Sequence, residues 1–117
     1  MSNVLPLESG FPPIEDKHAR ILILGSMPSV KSLQQQQYYA HSRNAFWPIM
    51  SELFNFDRNV LYEQRCQFLI NQHIAVWDAI NTCQRQGSLD QSIDASSMIA
   101  NDFSLFFQHH PHIEKIV

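Results

Sequence analysis

The sequence has little of what would mark most enzyme and binding classes. Its two cysteines, Cys66 and Cys83, are too few for a disulfide framework and are expected as reduced, partly buried thiols. No CxxC or HExxH pattern accompanies them, so no metal is expected. The turn that follows the first apolar run has neither GxGxxG nor the lysine and spacing of a phosphate-binding loop. That speaks against dinucleotides and nucleoside triphosphates. No GxSxG elbow supports acyl transfer. No apolar run approaches the ~20 residues of a membrane span, and no stretch has the charged and apolar regions of a signal peptide. A soluble, cytoplasmic domain with no membrane partner is the expectation.

Charge is scarce as well. Asp, Glu, Lys and Arg together make up 16% of the chain, so a disordered tail is not expected. The net charge of −3 and a pI near 6.0 argue against a broad basic footprint on nucleic acid. A locally positive cleft remains compatible with both values. There are no repeats, and compositional bias is confined to Gln34–Gln37, expected as a solvated helix end.

What is present is apolar bulk: 44% apolar residues, with 8 Phe, 2 Trp and 3 Tyr in 117 residues. That suits one domain with a real core, spanning residues 1–117. Residues 1–18, with Pro6, Gly10, Pro12 and Pro13, read as an extended lead-in. Ala19 to Leu24 is a continuous apolar run with β-branched residues, which predicts a central strand covered on both faces. It stops at Gly25, and Gly25-Ser26-Met27-Pro28-Ser29 turns into a helix capped by Ser29. Such a turn fits either a ligand crevice at a strand end or a plain connection.

Phe46, Ile49, Met50, Leu53 and Phe54 fall at helical spacing, with Asn44 as a cap and Pro48 in the first turn. Asn59 to His73 predicts another helix, with Leu61, Tyr62, Cys66, Leu69 and Ile70 inward. Ile74 to Trp77 reads as a second strand ending at Asp78, an acid fitting either a crevice or a turn cap. Cys83 to Ser97 reads as a long loop, of the kind that often carries function. Asp102 caps a helix bearing Phe103, Phe106 and Phe107. His109, His110 and His112 follow it as a solvated helix end rather than a metal site. Ile113 to Val117 starts a third strand. Strands alternating with helices predict an α/β fold, three layers α/β/α around a mainly parallel sheet, incomplete at the C-terminus.

Between these elements, Tyr38, Tyr39, His41, Arg43 and Asn44 offer stacking rings with amide and guanidinium donors. They fit a loop covering the sheet edge, and equally a surface for a flat heterocycle.

Two blocks together are specific. Gly25-Ser26-Met27-Pro28-Ser29 with Ser32-Leu33 and Tyr38-Tyr39-Ala40-His41-Ser42-Arg43-Asn44-Ala45-Phe46-Trp47 forms the first. Val76-Trp77-Asp78, Cys83, Arg85 and Gly87-Ser88-Leu89-Asp90 through Ile93 forms the second. In this order they resemble the hypoxanthine-DNA glycosylase branch of the uracil-DNA glycosylase superfamily, over roughly Arg20 to Val117.

The resemblance implies a metal- and cofactor-free enzyme that flips a deaminated base out of DNA and hydrolyses its N-glycosidic bond. Deoxyinosine is the implied substrate, with uracil as a lesser one. It assigns catalysis to Asn44, base stacking to Tyr39, and further substrate contacts to Gly25, Ser26, Met27, Pro28, His41 and Arg43. It also implies a strand–helix segment and a minor-groove loop beyond Val117. The alternative reading is a shortened, non-catalytic remnant of that fold that binds a base or nucleic acid.

Overall fold

A computed structural model of the chain describes residues 5–117. The first four residues of the predicted lead-in lie outside the described residues.

The central strand forms where the apolar run predicts it. β2 (Ile21–Gly25) pairs in parallel with β3 (Ile74–Asp78), in register from Ile21 opposite Ile74 to Gly25 opposite Asp78. On its other side β2 pairs in parallel with β6 (Lys115–Ile116). Alternation along these strands sends side chains to opposite faces. On one face Ile23, Ile74 and Val76 pack with Tyr38, Trp47 and Leu69. On the other, Leu22 and Ala75 pack with Ala19 and Phe106. Helices therefore cover both faces: α2 (Phe46–Phe54) and α3 (Tyr62–Asn71) on the first, α4 (Phe103–His109) on the second.

The expected mainly parallel sheet is corrected. β1 (Leu7–Ser9), β4 (Ile80–Gln84) and β5 (Ile99–Ala100) make a second, antiparallel sheet, and the fold is mixed α/β. β1 lies inside the lead-in and was hidden by its flanking prolines. β4 takes Cys83 and Gln84 out of the predicted loop. It starts one residue after β3 because Ala79 N–H donates to Gly25 O (2.8 Å) and Ile80 N–H to Ser26 O (3.0 Å). These bonds turn the chain from one sheet into the other beside the Gly25 turn.

Helix starts follow the caps. Ser29 Oγ accepts from Ser32 N–H at 3.1 Å at the head of α1 (Val30–Gln35), and Asp102 Oδ1 accepts from Leu105 N–H at 3.0 Å at the head of α4. The predicted inner face of α2 is rotated. Ile49 and Leu53 are exposed, and Trp47 is buried, its Nε1–H donating to Tyr38 O at 2.9 Å. α3 is shorter than predicted, and Leu61 stands exposed just ahead of it.

The histidine end of α4 is corrected too. His110 is buried, its ring nitrogens 2.7 Å from Phe106 O and 2.7 Å from a Glu15 carboxylate oxygen. The lead-in brings Glu15 there, so only its neighbours His109 and His112 stay exposed. Among the described residues no helix is long and apolar enough to cross a membrane.

Candidate active site

The C-terminal ends of β2 and β3 open into a cleft of about 430 Å³. The turn after β2 forms one wall, because Gly25 lets the chain press against its neighbour. A β-carbon on Gly25 would overlap Asp78 Oδ1 and come within 3.5 Å of the Tyr39 hydroxyl. Ser26, Met27 and Pro28 continue that wall, with Tyr39, His41 and Asn44 opposite.

The turn is held from behind. The buried Arg85 guanidinium donates to Pro28 O at 2.5 Å, to Glu8 Oε2 at 2.9 Å and to Ser88 O at 3.4 Å. In front, Ser26 Oγ–H donates to Asp90 Oδ2 at 2.7 Å, and Val30 N–H donates to Ser88 Oγ at 2.9 Å. The predicted long loop thus folds over the turn as two 3₁₀ turns, Asp90–Ser92 and Ala95–Ser97, and adds Ser88 and Asp90 to the cleft.

The opposite wall hangs on Tyr38. Its N–H donates to Tyr62 Oη at 3.0 Å, and its hydroxyl is shared between Phe11 O and Pro12 O at 3.2 and 3.0 Å. Burial pushes the Tyr38 phenol well above its ordinary value, so it stays neutral. Tyr39 follows with a positive φ of 56°, a left-handed conformation that side-chain-bearing residues seldom adopt. That turn lays its ring against Phe46, with centroids 4.0 Å apart. Burial, and to a lesser extent the Asp78 charge, raise the Tyr39 phenol to about 12.

Asn44 closes a turn, its N–H donating to His41 O at 2.9 Å. That places His41 and Asn44 at the turn's ends, in the cleft, and Ser42 and Arg43 at its exposed corner. The Arg43 side chain does not line the cleft, and its backbone N–H donates to His41 Nδ1 at 3.1 Å. Asn44 Oδ1 accepts from Phe46 N–H at 2.8 Å, although the residue at the formal helix cap is Ala45. Because Phe46 N–H can only donate, the amide oxygen must face it. The Asn44 NH₂ has no partner among the described residues and is free to donate.

Asp78, open between two readings in the sequence, lies in the cleft. It is 6% exposed, and its carboxylate accepts no hydrogen bond among the described residues. Burial raises its pKa to about 6, with the Asp90 charge adding to the rise and Arg85 opposing it. Its backbone O accepts from Asn101 Nδ2 at 2.6 Å, which fixes the strand end. Register opposite Gly25 is what brings this acid to the turn, and register is a tertiary fact. Among the described residues no group of three or more His, Cys, Asp or Glu is placed to hold a metal ion. Cys66 and Cys83 are free thiols, the second buried.

Comparison with known proteins identifies the family and the fold. The model of the uracil DNA glycosylase superfamily matches residues 12–115. A hypoxanthine DNA glycosylase of Methanosarcina barkeri is 32% identical over 94% of this chain and 69% of its own length. One from Methanosarcina acetivorans is 35% identical over 84% of this chain, which spans only 61% of that relative. A solution NMR structure from Methanosarcina acetivorans, carrying a uracil DNA glycosylase assignment, superposes with a TM-score of 0.81 at 33% identity. It covers 95% of this chain and 68% of its own. The chain belongs to the uracil DNA glycosylase superfamily, in its hypoxanthine DNA glycosylase branch.

Proposed function

We propose that the cleft receives a deaminated base flipped out of DNA and that the chain hydrolyses its N-glycosidic bond, in base-excision repair. Hypoxanthine is the first substrate and uracil a lesser one. One observation carries this reading. A ring, a free amide NH₂ and an unpartnered carboxylate, from Tyr39, Asn44 and Asp78, line one cleft at the strand ends of a chain of this family.

Flipping a base costs a few kcal/mol, least for a mispaired one. Tyr39, backed by Phe46, offers the base a stacking face. Cleavage builds positive charge on the sugar and negative charge on the departing base. The Asn44 NH₂ donates to that base and stabilises it as a leaving group. With its oxygen engaged by Phe46 N–H, Asn44 works as a donor, and an amide does not ionise to serve as a base.

Asp78 supplies the choice of base. Ionised above about pH 6, it accepts a hydrogen bond but cannot donate one. Hypoxanthine presents N1–H at the edge where adenine presents a bare nitrogen. A carboxylate set against N1, and not against the 6-position where adenine has an amino donor, therefore favours the deaminated base over its parent. Ser26 to Pro28 and His41 complete the enclosure, and the chemistry needs no metal or cofactor.

The test is a single-turnover assay on a duplex with one deoxyinosine, followed by alkaline cleavage at the abasic site. Asn44→Ala is expected to lower the rate about 10²–10³-fold. An unchanged rate removes Asn44 from the mechanism, and no abasic product from the natural chain overturns the reading.

A further inference from the structure

Beside the base cleft, on the other side of the Tyr39–Asn44 loop, runs a second groove of about 360 Å³. It shares Tyr39, His41 and Asn44 with the first, and is otherwise lined by Arg58, Arg65, Gln35, Gln37 and Asn59, among others. No carboxylate lines it, whereas Asp78 and Asp90 both line the base cleft. With Lys31 also lining the base cleft, that cleft has an excess of one acid, whereas the groove has two arginines and no acid.

Arg65 is the unusual member. Its guanidinium carbon stands 4.8 Å from the centre of the Trp47 ring and 5.6 Å from that of Tyr62. Both rings are themselves fixed by hydrogen bonds to the backbone of Tyr38. A guanidinium held over aromatic faces is pre-oriented and loses little freedom on meeting a ligand. Yet Arg65 has no carboxylate partner among the described residues, and its Nε–H is shut off from water with no acceptor. By contrast Arg20 pairs with Glu114, and Arg85 with Glu8. Arg58, on the same groove as Arg65, is also unpaired among the described residues.

We propose that this groove, through Arg65 and Arg58, binds phosphodiester groups of the DNA strand whose nucleotide enters the base cleft. A planar fork of N–H donors suits phosphate oxygens, and the neutral amides of Gln35, Gln37 and Asn59 add donors without charge. The shared Tyr39–Asn44 loop puts the groove where a strand must run when its base occupies the cleft. A net charge of −3 gives no general attraction for DNA, so the electrostatic part of binding is concentrated in such a groove. The ligand identity rests on the base-excision reading, whereas the unpaired guanidinium groups stand apart from it.

The salt dependence of binding tests the groove separately from the chemistry. Affinity for a labelled duplex with one deoxyinosine is measured against salt concentration for the natural chain and its variants. Each of Arg65→Gln and Arg58→Gln is expected to reduce the slope of log affinity against log salt by about one. Arg65→Lys keeps the charge and the slope. Arg20→Gln, which removes an arginine of the distant pair with Glu114, leaves the slope as it is. Glutamine variants with the natural slope overturn the proposal, as does Arg20→Gln lowering it equally, or a natural chain with no salt-dependent binding. A natural chain that binds with the expected slopes but excises nothing overturns the base-excision reading and leaves the groove standing.

Discussion

Gly25 and Asp78 face each other across the parallel pair of β2 and β3, and the Asp78 carboxylate fills the space of a Gly25 β-carbon. A glycine is needed here for close approach, since its φ is not among the positive ones. Gly25→Ala is expected to displace the carboxylate, to destabilise the fold by about 1–3 kcal/mol, and to depress deoxyinosine excision more than tenfold. In an Asp78→Ala background the same change is expected to cost at least about 1 kcal/mol less. Urea denaturation of the four chains measures that coupling, and additive effects would show that the two residues do not compete for space.

The buried acid also makes stability depend on pH. Its folded pKa of about 6 lies above the ordinary 3.8, so between these values the folded chain holds more of the proton than the unfolded one. Stability from this group therefore falls as pH rises from about 4 to 6, and the penalty is fully present at pH 7. Asp78→Asn removes it, and is expected to raise stability at pH 7 by about 1–3 kcal/mol, with no gain near pH 3. Denaturation at both values checks the sign. Deoxyinosine excision by the same variant is expected to fall, an exchange of stability for selectivity.

Asn44 has two separable duties, one for each end of its amide. Asn44→Asp keeps an oxygen for Phe46 N–H but has no NH₂ to donate. It is expected to melt within a few degrees of the natural chain while losing about 10²-fold or more in single-turnover rate. Asn44→Ala loses both duties, with about 1 kcal/mol less stability as well. An aspartate variant with natural activity would assign catalysis elsewhere.

Arg85 binds the antiparallel sheet to the cleft wall. Its side chain has 0% exposure and that of its partner Glu8 18%, so removing the guanidinium strands a mostly buried carboxylate and the Pro28 carbonyl. Arg85→Ala is expected to destabilise the chain by about 2–4 kcal/mol, and Glu8→Gln by less. Hydrogen exchange should quicken at Val30, whose N–H is held by Ser88 Oγ. An unchanged rate there would mean that the wall stands without Arg85.

Local signals are legible in the sequence where one element decides its own fate. The apolar run Ile21–Leu24, the Ser29 and Asp102 caps, and the two motif blocks all led to features the fold contains. The misses share a cause. β1, three residues between prolines, has no periodicity of its own and exists because β4 offers an edge. Trp47, and not Ile49 or Leu53, turns inward because of a bond to Tyr38 O that helical spacing cannot anticipate. Asp78 is a cleft residue through its register with Gly25. His110 found Glu15 from a distant segment. Each depends on what another part of the chain does.

Tyr38 has consequences for how such a site can change over generations. Its N–H, its carbonyl and its hydroxyl are all engaged by Tyr62, Trp47 and the Phe11–Pro12 backbone. Anchorage of the loop thus lies in Tyr38, with the Tyr39 ring on Phe46 and the Ala40 N–H that donates to Ser32 Oγ at 3.0 Å, while His41 to Asn44 follow outward. Mutation can explore the exposed His41, Ser42 and Arg43 without touching that anchorage, so new base preferences are open to selection on an inherited scaffold.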